Sequence, residues 1–130
     1  MEIKARKNTT AKGLEELGTL VKELSNSLHN DITTVSSPTF FCEADIADDG
    51  YWWVTNGEWC IKNGNIELMG WDDENGYFPT PVDITGRIRK INFHAAIEAL
   101  ENVIEKYNDL SEKKDQQIEK FLDFCAKFNA

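Results

Sequence analysis

Two Asn-Gly dipeptides, seven residues apart, constrain this chain more than any other feature. Asn56-Gly57 lies between Tyr51-Trp52-Trp53-Val54-Thr55 and Glu58-Trp59-Cys60-Ile61-Lys62. Asn63-Gly64 lies between that second run and Asn65-Ile66-Glu67-Leu68-Met69. Asn-Gly between alternating segments is the strongest short-range hairpin signal, because a type I′ turn needs φ > 0 at both central residues. Asp48-Asp49-Gly50 reads as a three-residue loop that joins Phe40–Ile46 to the next strand. Together the turns predict an antiparallel meander and fix its register. Val54 is expected opposite Trp59, Trp52 opposite Ile61, Ile61 opposite Ile66, and Trp59 opposite Leu68. The 48–50 loop sets Ile46 opposite Trp52 and Ala44 opposite Val54.

That register sorts the side chains. One face collects Phe40, Cys42, Ala44, Ile46, Trp52, Val54, Trp59, Ile61, Ile66 and Leu68, with no polar residue among them. It is expected to pack under helices. The opposite face collects Phe41, Glu43, Asp45, Tyr51, Trp53, Thr55, Glu58, Cys60, Lys62, Asn65, Glu67, Met69 and Trp71. A fifth, irregular strand is expected through Val82-Asp83-Ile84, with Pro79 and Pro81 placing it at an edge.

The flanking segments are helical in period. Leu14, Leu17, Val21, Leu24 and Leu28 form one stripe, with Thr9 or Thr10 as N-cap, and Leu20 widens it toward the core. The stripe is expected to end near Asn30-Asp31. Asn92 is a good N-cap for Phe93, Ile97, Leu100, Ile104 and Tyr107. The same phase returns at Ile118, Phe121, Cys125 and Phe128 after a polar gap. One unbroken helix over this stretch would be about 54 Å long. A compact chain of this size has a radius of gyration of about 14 Å. A break near Asn108-Asp109 is therefore expected, with Asp109 or Ser111 capping a last helix; the alternative is an overhang that meets a partner. The predicted fold is a single two-layer α+β domain: a helix over about residues 10–30, a four- to five-stranded antiparallel meander over about 39–85, and a helix or helical hairpin over about 92–129.

The charge is concentrated. Residues 31–86 hold eleven carboxylates against Lys62 alone, a block of −10 in a chain of −9, and all four tryptophans lie in it. Such a field disfavours direct contact with nucleic acid or anionic membrane, whose affinity comes from Lys and Arg. No apolar run approaches the roughly 18 residues a bilayer needs. The polar start Met1-Glu2-Ile3-Lys4-Ala5-Arg6-Lys7 does not read as a secretory signal. Three scattered cysteines, Cys42, Cys60 and Cys125, without C-x-x-C, point to a reducing, cytoplasmic compartment.

No catalytic, cofactor or metal motif is present. Glu58 and Glu67 fall diagonally on adjacent strands, roughly 7–8 Å apart. That spacing is glycosidase-like, but no pocket is evident and any acidic sheet yields such pairs. Trp71-Asp72-Asp73-Glu74-Asn75-Gly76 fails the calcium-loop spacing. His29 and His94 fall on separate helices and suggest no zinc site. Carboxylates around Cys60 disfavour a thiolate there, while Cys42 and Cys125 read as core. Arg87, Arg89 and Lys90 form a short basic cluster, better placed to balance the acidic sheet than to bind phosphate.

In charge, size and layering the chain resembles two loose groups. One is the small acidic inhibitors of phages and mobile elements, such as anti-restriction, anti-CRISPR and toxin-immunity proteins. The other is the small acidic secretion chaperones. Neither likeness rests on a motif, and no residue roles are carried over. The expected function is non-enzymatic inhibition of a basic, nucleic-acid-handling protein, without cofactor or metal. Glu43, Asp45, Tyr51, Trp53, Glu58, Glu67, Trp71, Asp72, Asp73 and Glu74 are the expected partner-binding residues. Aromatics anchor interfaces, and a carboxylate field both steers a basic partner and occupies positions meant for phosphates. The alternative is a homodimeric chaperone, adaptor or immunity protein that binds through its helices.

Overall fold

The computed structural model describes residues 1–4, 10–47, 51–72 and 77–129. The apolar stripe Leu14, Leu17, Val21 drives the first helix, α1 (Thr10–Ser25), onto the core. Thr10 is its first residue; Thr9 lies outside the described residues. α1 ends five residues before Asn30. The Ser25 hydroxyl donates to Val21 O at 2.7 Å and accepts from Ile66 N–H at 3.1 Å. Bonds from Ser27 N to Leu24 O and from Leu28 N to Ser25 O, each 3.1 Å, tighten the turn that follows. Leu28 and Ile32 still pack against the core from outside the helix. Leu20 is 40 % exposed, so the stripe is narrower than its sequence suggested.

Six strands follow: β1 (Val35–Ser36), β2 (Phe40–Asp45), β3 (Trp53–Lys62), β4 (Asn65–Asp72), β5 (Tyr77–Pro81) and β6 (Ile88–Ile91). They form one sheet in the order β5-β4-β3-β2-β6, with β1 pairing β3 off that path. Every pairing is antiparallel. The architecture is the expected α+β, with two more short strands than the meander alone. The fifth strand is Tyr77–Pro81 rather than Val82–Ile84, and its two prolines do sit at a sheet edge. β6, built from the short basic segment, adds to the other side of β2.

These two of the chain's three Asn-Gly pairs behave differently; Asn75-Gly76 lies outside the described residues. Asn63 and Gly64 have φ of 53° and 76°, as a type I′ turn requires, and join β3 to β4. Asn56-Gly57 is no turn. β3 runs straight through it for ten residues, with Asn56 opposite Trp71 and Gly57 opposite Gly70. Glycine is needed there for space. A Cβ on Gly57 would lie 3.1 Å from Cys42 Cβ, 3.1 Å from Leu68 Cδ1 and 3.2 Å from Phe40 Cε2. The Trp59–Leu68, Ile61–Ile66 and Ala44–Val54 pairs form as expected. So does the Ile46–Trp52 contact, through Ile46 N to Trp52 O at 2.9 Å. The Val54–Trp59 and Trp52–Ile61 pairs do not, because those residues share one continuous strand or its approach. The loop 48–50 lies outside the described residues.

The inner face is nonetheless close to expectation. Phe40, Cys42, Ala44, Val54, Trp59, Ile61, Ile66 and Leu68 are buried, and Ile46 packs against them. Burial in β3 steps three residues from Val54 to Gly57 and then two to Trp59. The β2–β3 register shifts across the same region, between Phe41 and Ala44. One assignment changes: Trp52 precedes β3 and is 48 % exposed. Cys60 keeps its outward position opposite Glu67 but is buried there, paired with Ser36 of β1.

The C-terminal region is one helix, α2 (Phe93–Phe128), and not a hairpin. The Asn92 side chain accepts from Ala95 N–H at 3.1 Å, as an N-cap should. The expected break at Asn108-Asp109 does not form. Asn108 and Ser111 cost only fractions of a kcal/mol in a helix, and Asp109–Lys113 and Asp123–Lys127 are acid-first i,i+4 pairs that favour continuation. Ala96, Ala99, Leu100, Val103 and Tyr107 bury its first half on the sheet. Trp59 is fully buried beneath it. Its Nε1–H donates to Ala96 O at 2.7 Å, its backbone N–H to Ser37 Oγ at 2.8 Å, and its ring lies 5.8 Å from that of Phe40. Tyr107 Oη accepts from His29 N–H at 2.8 Å, tying the segment after α1 to α2.

Three substitutions test this packing by urea denaturation followed by far-UV circular dichroism. Gly64→Ala should cost about 1–2 kcal/mol, because it forces Cβ into a left-handed conformation. Asn56→Thr, in a strand, should stay within about 0.5 kcal/mol of the parent; an equal loss at both sites would restore the hairpin at 56–57. Trp59→Ala should cost about 3–5 kcal/mol, as a large core truncation does.

Candidate protein-binding surface

Alternation in β2, β3 and β4 sends every second side chain away from the helices. Both α1 and α2 pack on the inner side, against β4 and against β2 and β3 respectively. Among the described residues no helix covers the outer side. Phe41 is 47 % exposed and Trp53 38 %. Glu67, Lys62 and Asn65 are exposed, and Glu43, Asp45, Glu58, Met69 and Trp71 half-buried. Tyr51, just before β3, is exposed.

Pairing brings part of the expected set together. Asp45 lies opposite Trp53, and Glu43 opposite Lys90 of β6. Glu58 faces Met69 while Cys60 faces Glu67, so the two glutamates are diagonal as expected. Trp71 lies opposite Asn56 at the far end of β4. Asp72 does not belong to the surface. It is only 2 % exposed, because the inward positions of β4 are the even ones, from Ile66 through Leu68 and Gly70. Asp73 and Glu74 lie outside the described residues.

Arg89, one of the basic cluster expected to balance the sheet, is the residue that engages this face. Its guanidinium hydrogen-bonds Asp45 Oδ1, lies 3.6 Å from Glu43 Oε1, and sits 5.8 Å from the centroid of the Trp53 ring. That distance is within cation–π range. The hydrogen bond from Arg89 holds the Asp45 carboxyl below the usual carboxylate range, and the guanidinium is raised in turn. The basic cluster thus balances the sheet, as expected. The β2 end of the face is close to neutral; among the described residues, the outward carboxylates that Arg89 does not engage are the half-buried Glu58 on β3 and the exposed Glu67 on β4. Elsewhere, the backbone N–H and hydroxyl of Thr85, each 3.0 Å from Asp83 Oδ1, hold Asp83 low.

Comparison with protein-family models, with curated proteins and with solved structures returns no match to this chain. The surface must therefore be interpreted from its own chemistry. A groove of about 520 Å³ between α1 and the β4–β5 side takes in Glu67 but not Glu58, so it does not join them as a pair. Burial pushes the Cys42 thiol up to about 11. No group of three or more His, Cys, Asp or Glu among the described residues is arranged to hold a metal ion. His94 is paired with Glu98 one turn on, at 3.0 Å, and His29 lies beyond the end of α1. No helix among the described residues is long and apolar enough to cross a membrane.

Acid should weaken the β2–β6 corner with a defined sign. Asp45 and Asp83 titrate lower folded than unfolded, so their contribution is complete above the ordinary carboxylate range and is lost as pH falls through the lowered values. Carboxyl-carbon NMR titration should place Asp45 below that range, and Arg89→Gln should return it. At neutral pH, iodoacetamide should modify Cys125 well before Cys42, read by mass spectrometry; equal rates would contradict the burial of Cys42.

Proposed function

We propose that this chain is a small, non-enzymatic binding protein that docks on a basic, nucleic-acid-handling surface of another protein and blocks it. The observation that supports this reading is a sheet face, covered by no helix among the described residues, that combines large aromatics with the carboxylates of Glu58 and Glu67, in a chain of −9. Phe41, Tyr51 and Trp53 supply rigid apolar area of the kind that anchors interfaces. Glu58 and Glu67 supply the charge that steers a basic partner and fixes register. Glu43 and Asp45 play a smaller part than their sequence suggests, since Arg89 already engages both. Arg89 instead holds Trp53 in place from one side.

The test is a low-salt and high-salt capture from bacterial lysate with the parent and the Glu58→Lys, Glu67→Lys double variant. The expected result is a basic nucleic-acid-binding protein held at low salt, released at high salt, and bound on the order of tenfold or more weakly by the variant. Nucleic acid should compete with the parent for that protein. Equal binding by parent and variant, with both folded by circular dichroism, would overturn the reading.

A further inference from the structure

Eighteen residues of α-helix make five whole turns. Ile118, Phe121, Cys125 and Phe128 therefore lie directly above Leu100, Val103, Tyr107 and Leu110 on α2. The lower set is covered: Leu100, Val103 and Tyr107 are buried, and Leu110 is half-buried beside Asp31, Ile32 and Thr33. The upper set continues the same face past the body of the fold. Ile118 is 42 % exposed, Phe121 62 % and Phe128 80 %, and the flanking Leu122 and Phe124 are 59 % and 62 % exposed. Phe124 and Phe128 stack on each other, with ring centroids 6.2 Å apart. A contiguous apolar cluster of this size marks an interaction site.

We propose that its occupant is a second copy of this chain, with the two α2 helices antiparallel over residues 115–128. Charge favours self-association. The segment holds Asp115, Glu119 and Asp123 against Lys120 and Lys127, so it carries −1 of the chain's −9. A basic partner finds little field there, and an anionic bilayer finds no net positive charge. An identical segment meets almost no repulsion. The area suffices as well. With a phenylalanine burying about 200 Å² when fully covered, the exposed fractions of these five side chains leave roughly 500 Å² per copy. The pair then buries about 1,000 Å², the lower bound for a specific interface.

Sterics select the antiparallel sense. Packed helix axes lie about 8–10 Å apart. The stripe faces the same way as the side that rests on the sheet. In a parallel pair each sheet would have to share its space with the partner's helix. Reversing one helix carries the second body past the tip of the first. A two-fold axis near Leu122 then sets Phe121 and Leu122 of both copies at the centre and Ile118 against the partner's Phe128, a self-complementary contact. This contact uses the far end of α2 and does not depend on the sheet-face reading above.

Sedimentation velocity of the full chain should show a concentration-dependent monomer–dimer equilibrium. The Phe121→Ser, Phe128→Ser double variant should raise the dissociation constant on the order of a hundredfold with an unchanged circular dichroism spectrum. Both side chains are exposed, so folding should not suffer. A parent that stays monomeric to millimolar concentration, or a dimer indifferent to the double variant, would overturn the proposal. A parent that is monomeric in solution but floats with phosphatidylcholine–phosphatidylglycerol vesicles would assign the stripe to lipid instead. Orientation is read from a spin label at Asp109→Cys in a Cys125→Ser background. Antiparallel helices place the two labels more than about 30 Å apart at 1.5 Å per residue; a separation under about 20 Å would reject that sense. Charge reversal at Glu58 and Glu67 should leave the dimer intact, which separates this contact from partner binding.

Discussion

The buried indole of Trp59 is the contact on which the two layers depend. It is fully inaccessible, and its one polar atom donates to the carbonyl of Ala96 in the first turns of α2. The backbone N–H of the same residue is taken by Ser37, so the segment that carries β1 is fixed to β3 at the same point. A buried N–H must find a partner, and here the partner lies on the opposite layer. The position of α2 over the sheet, the insertion of β1 beside β3, and the ring contact with Phe40 all refer back to this side chain. With both helices held on that side, no helix among the described residues covers the outer face.

Much of the fold was legible because alternation and turn chemistry are local. Asn63-Gly64 carried its full meaning. Asn56-Gly57 carried the same two letters with another cause, the lack of room beside Cys42, Phe40 and Leu68. The inner face still emerged nearly intact. A two-residue turn and a shifted strand both change which parity points inward, so Val54 and Trp59 reach the core either way. β6 escaped notice because four residues are too few for a readable period and its pairing to β2 is set by distant contacts. The continuity of α2 was misjudged for a different reason. Compactness argued for a break, whereas helix propensity across Asn108–Ser111, with Leu110 half-buried beside Asp31, Ile32 and Thr33, carries the helix through.

The candidate surface divides in the same way. Outward positions such as Phe41, Glu43, Asp45, Trp53, Glu58 and Glu67 followed from alternation alone. The neutralisation of Glu43 and Asp45 did not, since it depends on an arginine 44 residues further along the chain. Asp72 was readable in principle, since it continues the even-numbered inward row of β4. Cys60 needed knowledge of β1, a two-residue strand that no periodicity reveals.

Both margins of the sheet are finished off. β5 carries Pro79 and Pro81, which have no N–H to offer a newcomer. β6, four residues long with Arg89 and Lys90 at its centre, closes the other side with charge and brevity. An exposed margin ordinarily invites a further strand, from another protein or from a misfolded neighbour. This sheet is closed to that kind of growth, so it can hold a broad, aromatic, two-dimensional face in water without becoming a template for fibres.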